Sequence, residues 1–210
     1  MSETTMKLRM AAFAIFAPLV LQACGTTGGS VVPNGRDEIS AGKAVIAFTA
    51  QVTDGTAYGN CSVFSGQSAA SAQWFAWAVQ EDDVAAIVLE VEPGRYGFHR
   101  FGCMYRGLQL STSVRGPDVD VAAGDVLYLG RLIVSDTGMG SAAGYSRMPT
   151  SVGLAFVNRD DEDLAALRAK WPLFEGRVPQ TTIPPTWGGE GRYALRPYQD
   201  GVKLVAAPIL

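Results

Sequence analysis

The chain has 210 residues, a formal net charge of −3, and 17 Lys and Arg against 20 Asp and Glu, which removes the electrostatic case for a nucleic-acid or anionic-lipid partner. Its 24 glycines, its frequent Val, Thr, Tyr and Phe, and the scarcity of long helical periodicity point to one mainly β domain with many turns. A single histidine and three cysteines leave no cluster at metal-ligand spacing, so neither a metal nor a cofactor is expected.

Lys7 and Arg9 precede Met10–Leu21, twelve apolar residues. That length suits a signal-peptide core and is too short to span a bilayer. Met1 and Met6 are alternative starts, and Met6-Lys7-Leu8-Arg9 is the more usual opening of such a segment. The following Leu21-Gln22-Ala23-Cys24 resembles a bacterial lipobox, with Leu three residues before the cysteine and Ala directly before it. The resemblance implies cleavage of residues 1–23 and acylation of Cys24 by diacylglycerol and palmitate, making the protein a lipid-anchored component of the cell envelope. Gly25, in place of the Asp that retains lipoproteins in the inner membrane, favours the outer membrane facing the periplasm. The alternatives are an ordinary secretory signal cut elsewhere, or a buried helix.

Residues 24–41, rich in Gly, Thr and Ser with Pro33-Asn34-Gly35, read as a flexible tether. The domain is expected to span 42–175. Lys43–Thr53 alternates, with Ile46, Phe48, Ala50 and Val52 on one face, and reads as a strand. Gly59–Ser62 leads into a polar loop through Ser68, and the aromatic run Gln73–Val79 reads as a core strand. Val84–Glu92 is a strand with Ile87, Leu89 and Val91 inward and Glu90 and Glu92 on a solvated face. Pro93-Gly94 turns the chain into Arg95–Met104, whose alternation slips near His99-Arg100, as a β-bulge would make it. Leu108–Leu110 is a short strand. Val126–Val134 is a central strand, with Val126, Tyr128, Gly130, Leu132 and Val134 on one face and Leu127, Leu129 and Ile133 on the other, interrupted by Arg131. Gly138–Gly144 reads as a loop, and Val152, Leu154 and Phe156 as one more strand.

One helix is expected at about 160–171, capped by Asn158 or Asp160, with acidic residues Asp160–Asp163 at its positive end and Leu164, Leu167 and Trp171 on its apolar face. Residues 176–210 form a Pro/Gly-rich C-terminal extension packing on the domain, with short strands near Tyr193 and Val202–Val205. If Cys24 carries lipid, Cys61 and Cys103 remain as an even pair in an oxidising compartment, and a disulfide between them is expected; two separate buried thiols are the alternative.

Val91-Glu92-Pro93-Gly94-Arg95-Tyr96 resembles the V-x-P-G-x-Y turn of small β-sandwich domains. Ala123–Gly130 resembles a strand of the form aG-(D/E)-V-x-Y-(L/I)-G. Together they look like uncharacterised bacterial lipoproteins with a transthyretin-like or carboxypeptidase-regulatory-like β-sandwich. The resemblance covers roughly residues 42–172 and implies an antiparallel β-sandwich with one short acidic helix. Many unrelated functions share that fold, so it implies little about activity.

Candidate chemistry is thin. His99 is the only histidine, lies in a strand, and no Gly-x-Ser-x-Gly elbow accompanies it. Asp160–Asp163 lacks the spaced ligands of a calcium loop, and Gly138–Gly144 misses the dinucleotide fingerprint. Glu90 and Glu92 could serve glycoside chemistry only with a further carboxylate nearby. No catalytic residue is assigned and the chain is read as a non-enzyme. A binding surface is expected around Trp187, Arg192 and Tyr193, where exposed aromatic and arginine side chains suit glycan stacking or protein contacts. The competing reading has Trp187 sealing an open sandwich edge. The expectation is a non-catalytic envelope protein that binds or assembles with an envelope protein or peptidoglycan. An enzyme acting on envelope substrates and a structural subunit of a secretion or transport assembly are the alternatives.

Overall fold

The computed structural model describes residues 30–53, 58–66, 72–78, 84–114, 118–142, 145–177, 179–182, 192–197 and 205–206. In chain order the elements are β1 (Ser30–Val31), β2 (Ala44–Thr53), β3 (Tyr58–Gly66), β4 (Gln73–Ala78), β5 (Val84–Val91), β6 (Gly94–Tyr105), β7 (Leu108–Ser113), β8 (Asp118–Val121), β9 (Val126–Ala142) and β10 (Tyr145–Val157). Helix α1 (Asp160–Lys170) and a 3₁₀ turn, Pro172–Phe174, follow. The short strands β11 (Gln180–Thr181), β12 (Arg192–Ala194), β13 (Arg196–Pro197) and β14 (Val205–Ala206) complete the set.

Two sheets face each other, and the fold is mainly β, as expected. Sheet A runs β1-β5-β2-β9-β10-β12, with β11 beside β9; sheet B runs β13-β7-β6-β3-β4-β14, with β8 beside β6. Most pairs are antiparallel, but the central pair β2–β9 is parallel, as are β11–β9 and β14–β4. Between β2 and β9 the chain runs through β3 and β4 of sheet B, returns to sheet A as β5, and passes through sheet B again as β6–β8, so β2 and β9 enter sheet A in one direction.

The core between the sheets collects the inward residues of both. Ile46, Phe48, Ala50 and Val52 face it from β2, and Ile87, Leu89 and Val91 from β5. Phe48, Phe98 and Phe156 meet at ring-centroid separations of 5.9 to 6.1 Å, two of the three contacts edge to face. Cys61 and Cys103 lie opposite each other in the β3–β6 register, with their Cα atoms 4.0 Å apart and their sulfurs at disulfide distance. The slip near His99 is a bulge: Phe64 pairs with Arg100 and Ser65 with Phe98, which leaves His99 as the extra residue.

A second bulge corrects the alternation read along β9. Ala47 pairs with Tyr128 but Thr49 with Arg131, so β9 carries one residue more than β2 there. Gly130 sits in it at φ 93°, a conformation open to glycine. Facing flips across it. Leu127 and Leu129 share the core with Leu132 and Val134, while Arg131 joins Val126 and Tyr128 on the opposite face.

Three further expectations change. The polar stretch ahead of Ser65 is strand β3: Cys61 and Val63 fill the core while Ser62 takes the other face, and Ser and Asn hid the alternation. The loop expected at Gly138–Gly144 is strand as far as Ala142, paired with β10 from Tyr145. A Cβ on Gly138 would lie 2.5 Å from Ser151 Oγ, so these glycines serve cross-strand contact. The segment expected as a tether is bound to the domain from Ser30 onward: Ser30 and Val31 pair with Glu90 and Leu89, and Val32 is buried.

Candidate functional site

The outer face of sheet A carries a second apolar core. Val45 and Ala47 of β2, Val88 of β5, and Val126 and Tyr128 of β9 form its floor. Leu167 of α1, Trp171, and Leu173 and Phe174 of the 3₁₀ turn form its roof, with Val32 at the side. The helix lies here because Asp163, Leu167 and Trp171 recur at four-residue spacing and share a stripe, which Leu164 borders. Asn158 Oδ1 accepts the Asp160 backbone N–H at 3.0 Å and satisfies one donor of the first turn.

A charged cluster is sealed inside this second core. Asp163 is 1% exposed and its carboxylate is surrounded by donors. Thr49 donates its hydroxyl at 2.5 Å, Tyr128 donates its phenol, and Arg131 donates from Nε at 3.2 Å and from one terminal nitrogen. The same nitrogen of Arg131 also donates to Glu162 at 3.0 Å, and its other terminal nitrogen to Gln51 at 3.4 Å. Burial works to raise the Asp163 pKa, but it is outweighed by the hydrogen bonds of Arg131, Thr49 and Tyr128 and by the Arg131 charge, so the carboxyl is held below its usual value. Burial first, then the bond to Asp163, pushes the Tyr128 phenol up. The cluster therefore stays ionised as a pair at neutral pH. Both Asp163 oxygens, the Thr49 and Tyr128 hydroxyls and all three Arg131 side-chain nitrogens have partners within the protein, an arrangement that docks a helix on a sheet.

A second charged clasp holds the N-terminal segment. Glu90, read as solvated, is 8% exposed. It accepts the Ser40 backbone N–H at 2.7 Å and the Ser40 hydroxyl at 3.0 Å, and Arg36 lies 3.3 Å away. Trp171 Nε1 donates to the Val32 carbonyl at 3.1 Å, the Gly35 N–H to the Lys170 carbonyl at 2.9 Å, and the Leu173 N–H to the Arg36 carbonyl at 3.1 Å. Glu92, by contrast, is exposed and pairs with Lys43.

The other candidates fall elsewhere. His99 Nε2 lies 3.3 Å from the Gly66 carbonyl, on sheet B and away from the Asp163 cluster. Asp160 accepts the Thr181 hydroxyl at 3.1 Å, beside an open polar groove formed by Asn158–Glu162. Among the described residues no three His, Cys, Asp or Glu side chains could share a metal ion, and no helix is long and apolar enough to cross a membrane. Cys24 and Trp187 lie outside the described residues. Arg192 and Tyr193 are in β12, which pairs with β10. Tyr193 is not the exposed aromatic that was expected. It packs against the main core, its hydroxyl has no hydrogen-bond partner among the described residues, and burial raises its pKa. The sequence reading missed Asp163 and Arg131. The available signal was Asp163 four residues before Leu167, which puts a carboxylate on the apolar stripe.

The chain from Arg192 to Pro197 joins the two sheets at one side. β12 extends sheet A along β10, Leu195 is buried and its N–H donates to the Thr150 carbonyl, and β13 extends sheet B along β7. In comparisons with known proteins, no family model, no curated protein and no solved structure matches the chain.

Proposed function

We propose that this is a non-catalytic, lipid-anchored protein of the cell envelope, held through acyl chains on Cys24, that presents a rigid β-sandwich to an envelope partner, a protein or peptidoglycan. The lipobox-like Leu21–Cys24 supports the location. One observation carries the non-catalytic part. The densest group of ionisable side chains described, Asp163 with Arg131 and Tyr128, spends its hydrogen bonds on fastening α1 to sheet A. The chain then offers its surface to other molecules. A structural role in a larger assembly would use the same surface.

The test is crosslinking of the full-length protein in native membranes, followed by recovery and identification of what is attached, with a Trp187→Ala variant beside it. A specific envelope partner that the variant loses supports the reading and puts the contact in the C-terminal extension. Recovery of no partner from either sample overturns it and moves the enzyme reading forward, to be pursued with wall fragments as substrates.

A further inference from the structure

The place where the N-terminal segment joins the sandwich sets which end of the domain can touch a membrane. β1 is antiparallel to β5, with Ser30 opposite Glu90 and Val31 opposite Leu89. The upstream end of β1, Ser30, therefore lies on the side of Val91 and the Glu92-Pro93-Gly94 turn. Three other features lie at that end: the start of β2 at Ala44, the turn Ala122–Asp125, and the start of β9 at Val126. The opposite end carries the β6–β7 turn at Arg106-Gly107 and the far part of the β9–β10 ribbon with Met139, 39% exposed.

We infer that the turn end, with Ala41-Gly42, Pro93 and Ala122–Gly124, lies against the lipid surface, and that the Arg106 and Met139 end faces away from it. The inference rests on the proposal that Cys24 is acylated. Only six peptide steps separate Cys24 from Ser30, and a fully extended chain covers about 3.3–3.6 Å per residue, so the acylated cysteine reaches at most about 20 Å from Ser30. The ten residues of β2 alone extend about 33 Å. An inverted domain would need the chain to run back along that length, which it is too short to do. The turn end also suits a lipid surface chemically. Ala41, Gly42, Pro93, Ala122, Ala123 and Gly124 are small and exposed. The nearby basic groups are engaged, Lys43 with Glu92 and Arg95 with Asp118, and Asp125 accepts the Ala122 N–H. No unspent positive charge appears there among the described residues, so the acyl chains rather than electrostatics hold the domain down.

The test uses the full-length protein, produced in a bacterium that acylates it and reconstituted into vesicles of phosphatidylethanolamine and phosphatidylglycerol. Fluorophores are placed on Ala123→Cys or Met139→Cys, with the native pair Cys61 and Cys103 left oxidised. Energy transfer to a headgroup-labelled lipid is then read. Strong transfer from position 123 and weak transfer from position 139 is expected. A twelve-residue Gly/Ser insert after Thr27 should shrink the difference severalfold. Equal transfer from both positions in an acylated, uninserted protein overturns the orientation and leaves the anchor standing. A mass spectrum showing Cys24 without lipid overturns the anchor, and the orientation with it.

Discussion

The outer faces of the two sheets are built differently. That of sheet A is roofed by α1, Trp171 and the N-terminal segment, and holds an apolar core of its own around a buried ion pair. That of sheet B shows, in register across β3, β6 and β7, the row Ser62, Gly102 and Ser111, with Met104 beside Gln109 and Arg100 beside Ser113. No helix lies over it among the described residues. Sheet A is strengthened by burial contributed from distant parts of the chain, sheet B by a cross-strand cysteine pair. One sheet thus gains from packing on its outer side, and the other holds a cysteine pair at disulfide distance between two of its strands.

The difference can be broken most severely at Trp171. Its ring is buried in the second core and its indole N–H holds Val32, so Trp171→Ala should cost about 5 kcal/mol of unfolding free energy in a urea titration. A cost below about 1 kcal/mol would mean that the roof contributes little. Asp163→Ala strands Arg131 in the same core and should cost about 4 kcal/mol, whereas the double change Asp163→Leu with Arg131→Met should recover most of it. If the double variant is no more stable than the single one, the pair has a role beyond docking the helix.

Reduction tests the other side. The cysteine pair closes a loop with a sequence separation of 42, and opening it should lower stability by up to about 4 kcal/mol. Hydrogen exchange should rise in β3 and β6 ahead of α1; the reverse order would contradict the division of labour between the sheets. Acid should act on sheet A. The Asp163 carboxyl titrates below its unfolded value of about 3.9, so its stabilisation is complete above that pH and drains away as pH falls through the lowered folded value. Asp163→Asn should flatten the loss measured below about pH 4. The smallest effects belong to the outer face of sheet B: Gln109→Ala and Ser113→Ala should each fall within about 0.5 kcal/mol of the native protein. A larger loss would reveal a contact across that face.

What could be read in the chain beforehand followed from local pattern. The alternation of Ile46, Phe48, Ala50 and Val52 identified β2, and the slip at His99 marked its bulge, because each is visible within a few residues. The bulge at Gly130 was hidden. Leu129 and Leu132 flank it, and an alternation with apolar residues on both faces has no parity to violate. Glu90 looked solvated because its partners Arg36 and Ser40 are 54 and 50 residues away. Residues 30–41 looked like a tether because Val31, Val32 and Ile39 among Pro, Asn, Gly and charged residues carry no periodicity. Their order is imposed from outside, by Trp171, Lys170 and Glu90. Asp163 was concealed by company: in a run of four acids, the one facing the sheet has the composition of the three that do not.

The bond from Trp171 to Val32 also sets an order of events. Its two residues are 139 positions apart, so Val32 emerges from the ribosome long before its indole partner exists. Until then the Val32 carbonyl lacks its indole donor and the outer side of β2 stays uncovered, although β5 and Glu90 are already there to receive Ser30–Ser40. Completion of the roof therefore requires the last third of the chain, a long-range closure of the kind that slows folding as a whole.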